Sequence, residues 1–222
     1  MKKDQAYRYI KNQIMEEKWS SETAVNVNEI AAELNMSRTP IHKALSELAQ
    51  EGFLHIIPQV GVFVKKPDLS EVLERVYVCA SLDALMAEQA TFYLKEEDFK
   101  HMESILKTMD VPDICVEEYS SLNIEFHRVI YEASGYTYTL NHAKQLWDYL
   151  NYVGSPDVLF SESRRKRSQS EHWMIYFALK DGDHKLVKSL VEHHMRRVAD
   201  SIKDKLSEKE SDEQAVYSFL HR

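Results

Sequence analysis

Residues 26–64 read NVNEIAAELNMSRTPIHKALSELAQEGFLHIIPQVGVFV, and this stretch decides the fold of the N-terminal part of the chain. Asn26 is a good N-cap residue, and Glu29, three positions later, can complete a capping box with it. Ser37 is a second N-cap candidate, and Pro40 is tolerated because it falls within the first turn of the helix that follows. The stretch therefore predicts two short helices separated by a tight turn.

The second predicted helix has one apolar and one polar face. Its apolar residues recur at positions i, i+3, i+4 and i+7, namely Ile41, Ala44, Leu45 and Leu48. The polar residues left facing outward are Arg38, Thr39, His42 and Lys43. FLHII, PQVG and VFV then read as strand, turn and strand, and Gly61 is expected to supply the backbone freedom of the turn. This is the layout of a winged helix-turn-helix, whose second helix enters the DNA major groove.

These motifs resemble the N-terminal domain of the GntR family of bacterial transcription regulators. The segment SRTPIHKALSELAQEGF follows that family's pattern, and the glycine-bearing hairpin continues it. His42 stands where the family usually has arginine, and Lys43 where it usually has glutamate. The wing also lacks the basic residue that often precedes its glycine. The resemblance implies DNA contacts at Ser37, Arg38, Thr39, His42, Lys43 and Gly61.

Basic residues around this stretch favour DNA binding over a helix-turn-helix used for protein contacts. They precede and follow the motif at Lys2, Lys3, Arg8, Lys11, Lys18, Lys65 and Lys66. Such residues can supply the phosphate contacts that position a recognition helix. The structural alternative is that each is an ordinary solvated side chain.

Charge is distributed unevenly along the chain. The whole chain carries 28 basic and 36 acidic side chains, but residues 1–67 hold nine basic and eight acidic ones, so the acidic excess lies C-terminal to them. Because an acidic segment repels phosphate, DNA affinity has to come from a locally oriented face. A second copy would double those contacts, so we predict a homodimer that binds double-stranded DNA at a palindromic operator.

The composition predicts two domains joined by a short linker. We expect a winged-helix DNA-binding domain at 1–66, a polar linker at 67–71, and a helical effector-binding and dimerisation domain at 72–222. The two cysteines, Cys79 and Cys115, have no zinc-site spacing and are expected to be free thiols in a cytoplasmic protein. No apolar run approaches the roughly 20 residues that span a bilayer, so no membrane partner is expected.

The remainder of the chain has helical periodicity almost throughout. Apolar residues recur at helical spacing in segments 72–93, 99–109, 119–133, 138–153, 172–179 and 184–202. The predicted fold is therefore mainly α: an N-terminal winged helix-turn-helix with a small β-hairpin wing, followed by a C-terminal antiparallel α-helical bundle. The turn at Gly182 is the clearest joint between two of its helices.

Histidines in this bundle are the chemically interesting set. Asn123 and His127 are four residues apart, so they project from one helix face about one turn apart. His172 lies ten residues before Gly182 and His194 twelve after it, so the two imidazoles lie nearly level and can meet across the helical hairpin. His194 points close to Val187, Val191 and Val198, whereas its rival His193 points toward the edge marked by Leu186. A polar edge of a core helix remains the alternative for Asn123 and His127.

Three further motifs, NIEFHRVIYEASG, SEHWMIYFALKDGD and EHHMRRV, resemble the FadR-type or FCD effector domain of the GntR family. In metal-binding members of that family, an aspartate, a histidine four residues later and two further histidines hold a divalent ion. The resemblance implies that the corresponding residues here are Asn123, His127, His172 and His194. Because an asparagine brings no charge, the site becomes more zinc-, nickel- or iron-like, and zinc or nickel is expected. The ion keeps its full charge, which favours an anionic effector such as a small carboxylate.

The family often has an arginine three residues before a Leu-Glu pair, but here Cys79 precedes Leu82 and Asp83. This removes one plausible carboxylate clamp. Arg164 or Arg165, just ahead of His172, can compensate as an effector-binding residue, although RRKR is also a common solvated cluster.

Two other classes of function compete with a regulator. A metal-dependent hydrolase could use three histidines and an exchangeable water, but Glu125 and Glu171, next to the ligands in sequence, are predicted to point away from them. A protein-interaction adaptor would use the helix-turn-helix for protein contacts. The sequence favours a non-enzymatic transcription regulator, a repressor, whose operator binding responds to a small carboxylate at the metal site.

Overall fold

The computed structural model describes residues 2–155 and 159–220, with side chains described as far as residue 204. The chain divides into two compact units, residues 1–68 and 69–222. The predicted boundary lay close to this division, but the predicted linker at 67–71 is shorter in the structure because a helix begins at Leu69.

The N-terminal unit consists of three helices and one hairpin. The elements are α1 (Lys2–Met15), α2 (Val27–Glu33), α3 (Arg38–Gln50), β1 (Leu54–Ile57) and β2 (Gly61–Val64). The strands are antiparallel, with Leu54 opposite Val64 and Ile57 opposite Gly61. The predicted winged helix-turn-helix with a hairpin wing is confirmed, while α1 is an element that the sequence interpretation did not assign.

Helix α1 completes the core of this unit. It buries Ala6, Ile10 and Ile14, four residues apart, against the apolar stripe of α3. That stripe is the one predicted, since Ile41, Ala44, Leu45 and Leu48 are each no more than 1% exposed. Because α1 packs on α3, the polar face of α3 is left to the solvent.

The two helix caps differ from each other. Asn26 Oδ1 accepts hydrogen bonds from the amides of Asn28 and Glu29, and Asn26 Nδ2 donates to Glu29 Oε1 at 2.7 Å. Ser37 occupies the N-cap position of α3, but its side chain makes no cap hydrogen bond. Position therefore agrees with the sequence prediction at both caps, while the expected side-chain contact forms only at Asn26.

The wing turn has a positive φ at two residues, Gln59 and Gly61. The amide of Val60 donates to the carbonyl of Ile57 at 3.1 Å, and Gln59 has a φ of 62°. Pro58 followed by a residue with positive φ is the arrangement of a type II turn. Gly61 has a positive φ of 158°, a conformation that L side chains rarely adopt, which agrees with the backbone freedom expected of it. Its missing side chain also admits Ala24, whose Cβ would lie 3.3 Å from a Cβ at this position.

The C-terminal unit is helical throughout its described part. The helices are α4 (Leu69–Ala90), α5 (Glu96–Met109), α6 (Val116–Ala133), α7 (Thr137–Gly154), α8 (Glu162–Lys180) and α9 (His184–Leu220). Helix α4 packs along α9 and also contacts α6 and α7. The predicted helical bundle is confirmed, although α8 begins ten residues before the predicted start at His172. Among the described residues, no helix is long and apolar enough to cross a membrane.

Candidate metal centre and nucleic-acid interface

Three histidines from three different helices meet inside the C-terminal unit. His127 on α6, His172 on α8 and His194 on α9 are 9%, 0% and 4% exposed. One ring nitrogen from each lies within 4.8 Å of the others. The hairpin between α8 and α9 brings His172 and His194 level, with ring centroids 4.7 Å apart. The structure thus brings together the three histidines that the sequence interpretation selected, and His193 is exposed.

Hydrogen bonds fix the orientation of two of these rings. His127 Nδ1 is 3.1 Å from the hydroxyl of Tyr131, and His194 Nδ1 is 2.7 Å from Glu171 Oε2. Both contacts occupy Nδ1, so Nε2 remains available in each ring. His172 Nε2 lies 3.4 Å from Ser168 Oγ, and its Nδ1 has no hydrogen-bond partner among the described residues. Metal-ligating histidines commonly have this arrangement, with one nitrogen held by a second group.

Burial keeps the three imidazoles neutral. It lowers the pKa of His127 to about 4, with a smaller contribution from Arg164, and lowers the pKa values of His172 and His194 well below the usual range. The charged form is disfavoured because it would lose its hydration. Neutral imidazole is the form that binds metals.

The cluster fits a divalent ion of the borderline class. Three neutral nitrogen donors suit zinc, nickel or iron better than calcium or magnesium. Nitrogen atoms around zinc stand roughly 3.3 Å apart, so the observed spacing within 4.8 Å requires only modest side-chain movement. Asn123, one turn before His127 on α6, lines the adjoining cavity. The predicted ligand set therefore occupies one region.

A cavity of about 300 Å³ adjoins the cluster. His127 and His194 form part of its wall, as do Arg164 and Asp83, whereas Lys144 and Asp148 are solvent-exposed lining residues. Its size lies at the small end of the range for small-molecule sites. The arrangement can hold a small ligand beside the three imidazoles.

The two candidate effector-binding arginines point to different places. Arg164 lines the cavity, its side chain is 11% exposed, and its Nη2 donates to the carbonyl of His194 at 3.3 Å. Arg165 is not among the cavity-lining residues, and its Nη1 donates to the carbonyl of Ile114 at 2.7 Å. Of the two, only Arg164 is placed to meet a cavity ligand.

Glu171 is a site residue that the sequence interpretation did not identify. Helical spacing correctly points it away from its neighbour His172, but α9 packs alongside α8 and brings His194 Nδ1 to its carboxylate. The same carboxylate forms an ion pair with Arg197 and lies 3.5 Å from Arg164 Nη1. No spacing along a single helix signals this contact, because it depends on how α8 and α9 pack. Glu125 instead pairs with Arg128 and His101 at 2.6 and 3.0 Å.

Asp83 on α4 is a second site residue. From the sequence it was identified only as part of the Leu82–Asp83 pair that replaces the Leu-Glu pair of the family. It is fully buried, and its Oδ2 accepts from Trp147 Nε1 at 3.1 Å and lies 3.6 Å from Cys79 Sγ. Burial raises the pKa of Asp83 to about 7, although its hydrogen bonds to Trp147, Cys79 and Tyr131 oppose this. A carboxyl group in this position changes charge near neutral pH.

The candidate DNA contacts lie on the surface of the N-terminal unit. Ser37, Arg38, Thr39, His42 and Lys43 are all exposed along the start of α3, and Gly61 is half-buried in the wing. Several of the flanking lysines have partners. Lys3 Nζ lies 2.8 Å from a carboxylate oxygen of Glu47, and Lys11 Nζ lies 3.2 Å from the hydroxyl of Tyr7.

Comparisons with known proteins give a family match for each of the two structural units. Residues 2–64 match the gntR family of bacterial regulatory proteins, and residues 75–197 match the FCD domain. A Streptomyces ambofaciens protein, an uncharacterised HTH-type transcriptional regulator in an unstable DNA locus, is 30% identical over 81% of this chain and 75% of its own length. The gluconate operon transcriptional repressor of Bacillus subtilis is 25% identical over 83% of this chain and 78% of its own.

A solved structure shows the same fold. E. coli McbR/YncC superposes with a TM-score of 0.69 and 18% identity, covering 93% of this chain and 99% of that one. Both family matches lie where the two structural units lie. The chain belongs to the GntR family of bacterial transcription regulators and carries an FCD domain in its C-terminal unit.

Proposed function

We propose that this GntR-family regulator is a cytoplasmic repressor whose operator binding is modulated by a small carboxylate at a metal site. The site consists of His127, His172 and His194, with Asn123 as a further candidate ligand. The observation that carries the proposal is the convergence of three buried, neutral imidazoles, two of which, His127 and His194, line the adjoining cavity. Burying three imidazoles together without a common partner is difficult to explain by packing alone.

A zinc or nickel ion held by these residues would supply a Lewis acid for a carboxylate oxygen. Around it, Glu171 orients His194 and Tyr131 orients His127, so both ligands are held before the ion arrives. Arg164 adds a positive charge to the same cavity and can bind the second carboxylate oxygen. With three neutral imidazoles as ligands, an uncharged effector would leave the charge of the ion uncompensated.

The N-terminal unit supplies the DNA contacts. The exposed start of α3 can enter a major groove, where Arg38 and Lys43 reach phosphates or base edges. One such surface is small, so we propose a homodimer that places two copies of α3 on the half-sites of a palindrome. Repression is proposed because a relative, the Bacillus subtilis gluconate operon repressor, has that role in its name. Gluconate is itself a small carboxylate.

Ligand control requires that the carboxylate bind two states of the protein with different affinity. The ligand then shifts the population of the state that matches the operator. This coupling is reciprocal, so operator DNA changes carboxylate affinity by the same factor. The reciprocity gives a test that needs no knowledge of the conformational change.

The proposal is tested with DNA selected from a random-sequence library by the purified protein. A repressor of this kind enriches a palindrome, and adding a carboxylate shifts the affinity for that palindrome in metal-loaded protein but not after chelation. His127→Ala should remove the shift and leave DNA binding intact. Failure to enrich any sequence, together with metal-dependent hydrolysis of a test ester, would replace the regulator with an enzyme.

A further inference from the structure

A buried carboxylate lies one hydrogen bond beyond a candidate metal ligand. His127 Nδ1 is 3.1 Å from the hydroxyl of Tyr131, which lies one turn further along α6. The same hydroxyl forms a hydrogen bond with the carboxylate of Asp83 on α4. All three side chains are buried. A continuous hydrogen-bonded chain therefore connects a carboxylate on one helix to an imidazole on another.

The direction of these hydrogen bonds follows from the number of protons available. A tyrosine hydroxyl has one proton, so it can donate to only one of its two partners. Burial, followed by the charge of Asp83, raises the pKa of Tyr131 well above its usual range, so the hydroxyl keeps this proton. Because an ionised carboxylate can only accept, Tyr131 donates to Asp83. The hydroxyl oxygen then accepts from His127, whose own proton has to lie on Nδ1.

We propose that Asp83 is a positioning residue of the metal centre, which acts through Tyr131 to hold the proton of His127 on Nδ1 and leave the Nε2 lone pair free for the ion. The ion itself rests on the proposed function, whereas the position of the proton on His127 is a property of the metal-free protein. Without Asp83, the hydroxyl of Tyr131 can donate to Nδ1. The proton of His127 then moves to Nε2, where it competes with metal binding.

His194 reaches the same protonation state by a shorter route. Its Nδ1 is 2.7 Å from Glu171 Oε2, so a carboxylate accepts directly from the ring. Such carboxylate partners fix the tautomer of metal-ligating histidines and raise their basicity. At His127, the hydroxyl of Tyr131 stands between the ring and the carboxylate. Two of the three imidazoles are thus prepared by acidic residues on different helices, α8 and α4.

The groups of this relay are held in fixed positions. Asp83 Oδ2 accepts from Trp147 Nε1 at 3.1 Å and lies 3.6 Å from Cys79 Sγ. The ring of Trp147 stacks on that of Tyr131 with centroids 5.2 Å apart, and Tyr131 stacks on His127 with centroids 5.6 Å apart. Buried hydrogen bonds in such a chain polarise one another. A purely structural role of the same network would be to join α4 to α7 through Trp147, so the test has to separate the two roles.

The position of the proton on His127 provides the first measurement. It is read by ¹⁵N NMR of the ring nitrogens in metal-free, full-length protein at about pH 8.5, above the pKa of Asp83 of about 7. The wild type should show a protonated Nδ1 and an unprotonated Nε2. Asp83→Ala should move the proton to Nε2 in most molecules. His194 is the control in the same spectrum, because Glu171 holds its proton on Nδ1 in both proteins.

Zinc affinity, measured by competition with a chromophoric chelator, provides the second measurement. Asp83→Ala should bind zinc about tenfold more weakly, as expected for loss of an outer-shell partner. Tyr131→Phe interrupts the relay but keeps the carboxylate, and should move the proton of His127 and weaken zinc binding to a similar extent. Adding Asp83→Ala to Tyr131→Phe should have no further effect, because the two residues act through one chain.

Trp147→Phe separates the relay from the structural role. It removes the hydrogen bond that joins Asp83 to α7 and keeps an aromatic ring, so it should leave the proton of His127 on Nδ1. Thermal unfolding midpoints establish that each variant is folded.

A wild-type His127 protonated on Nε2 would overturn the role of Asp83, as would a proton that stays on Nδ1 in folded Asp83→Ala and Tyr131→Phe. An equal shift in Trp147→Phe would also overturn it, since the network would then act only by joining α4 to α7. A wild type that binds no zinc would overturn the proposed metal site. That failure is distinguishable because the proton is located in metal-free protein.

Discussion

The N-terminal unit presents five of its six candidate DNA contacts around the start of α3, whereas the C-terminal unit assembles its candidate metal ligands from α6, α8 and α9. Those five residues are exposed, and the three histidines are buried. Within the described residues, every buried polar side chain belongs to the C-terminal unit. The buried side chains of the N-terminal unit therefore require only apolar packing, whereas those of the C-terminal unit also require hydrogen-bond partners.

An exposed recognition surface leaves the core free to be wholly apolar. Substitutions on the polar face of α3 change what is recognised at little cost to folding. A buried polar site has the opposite property, because each group must be satisfied by another group or by a ligand. Stability and ligand binding are coupled in the C-terminal unit and nearly independent in the N-terminal unit.

The largest expected effect is a pH dependence of stability that arises from the buried Asp83 of the C-terminal unit. It tests whether stability and the buried polar site are coupled in that unit. Because the folded-state pKa of Asp83 is raised to about 7, its contribution to stability is fully present below the unfolded pKa near 3.8 and is lost as pH rises through about 7. Relative to Asp83→Asn, the wild-type free energy of unfolding should fall by about 1.4 kcal/mol per pH unit between about pH 5 and 7.

Denaturant unfolding of both metal-free proteins at several pH values measures this difference. The histidine cluster titrates in both proteins, so its contribution cancels in the comparison. A flat profile for the difference between the wild type and Asp83→Asn would contradict the raised pKa of Asp83.

The second prediction concerns a substitution in the metal site of the C-terminal unit that should leave the N-terminal unit unchanged. His194→Ala removes a buried candidate ligand and should lower zinc or nickel affinity by at least about 100-fold, since loss of an outer-shell partner alone costs roughly 10- to 100-fold. Metal affinity is measured by competition with a chromophoric chelator.

His193→Ala is the matched control, because the adjacent imidazole is exposed. It should bind metal as the wild type does. Both variants should retain DNA affinity in the absence of effector, which gel shift can measure. Equal metal loss in the two variants would show that the buried cluster is not the metal site.

The two units also differ in how much of their structure could be predicted from the sequence. The winged helix was predictable because its decisive features are local: the cap at Asn26, the apolar stripe from Ile41 to Leu48 and the hairpin. Helix α1 was missed because its apolar residues become meaningful only when they meet α3. Gly61 has the positive φ that its expected backbone freedom implies, whereas the positive φ of Gln59, a residue that rarely adopts it, was not predicted.

In the C-terminal unit, the histidines were found by combining helical spacing with the position of Gly182. The groups around them could not be found in that way. Glu171 reaches His194 from a neighbouring helix, and Asp83 joins Trp147 across 64 positions of sequence. Such contacts depend on how helices pack, and spacing along one helix contains no information about them.

The third prediction concerns the exposed surface of the N-terminal unit. Arg38→Ala should weaken binding to the selected palindrome by about 10- to 100-fold, with no change in metal affinity. Gel shifts at several salt concentrations then distinguish base from phosphate contact, because loss of a phosphate contact lowers the salt slope by about one. Arg128→Ala, which removes an exposed arginine of α6, serves as control. A normal affinity for Arg38→Ala would remove the start of α3 from the interface.

The smallest effect is expected in the wing, where an exposed position carries backbone strain. Gln59 has a φ of 62°, a conformation that favours glycine, so Gln59→Gly relieves strain while adding flexibility to the unfolded chain. The net gain should be about 0.5 kcal/mol, seen as a roughly twofold slower hydrogen exchange of the Val25 amide. That amide donates to the carbonyl of Val62 at 2.7 Å and reports opening of the wing.

Gly61→Ala supplies the opposite test. A Cβ there would lie 3.3 Å from Ala24 Cβ, so the hairpin has to move and exchange at Val25 should accelerate. If both variants changed exchange in the same direction, the strain assigned to Gln59 would be incorrect. If both behave as expected, the stability of the wing depends on the backbone conformation at Gln59 and Gly61, and the independence of surface and core argued for α3 does not extend to the hairpin.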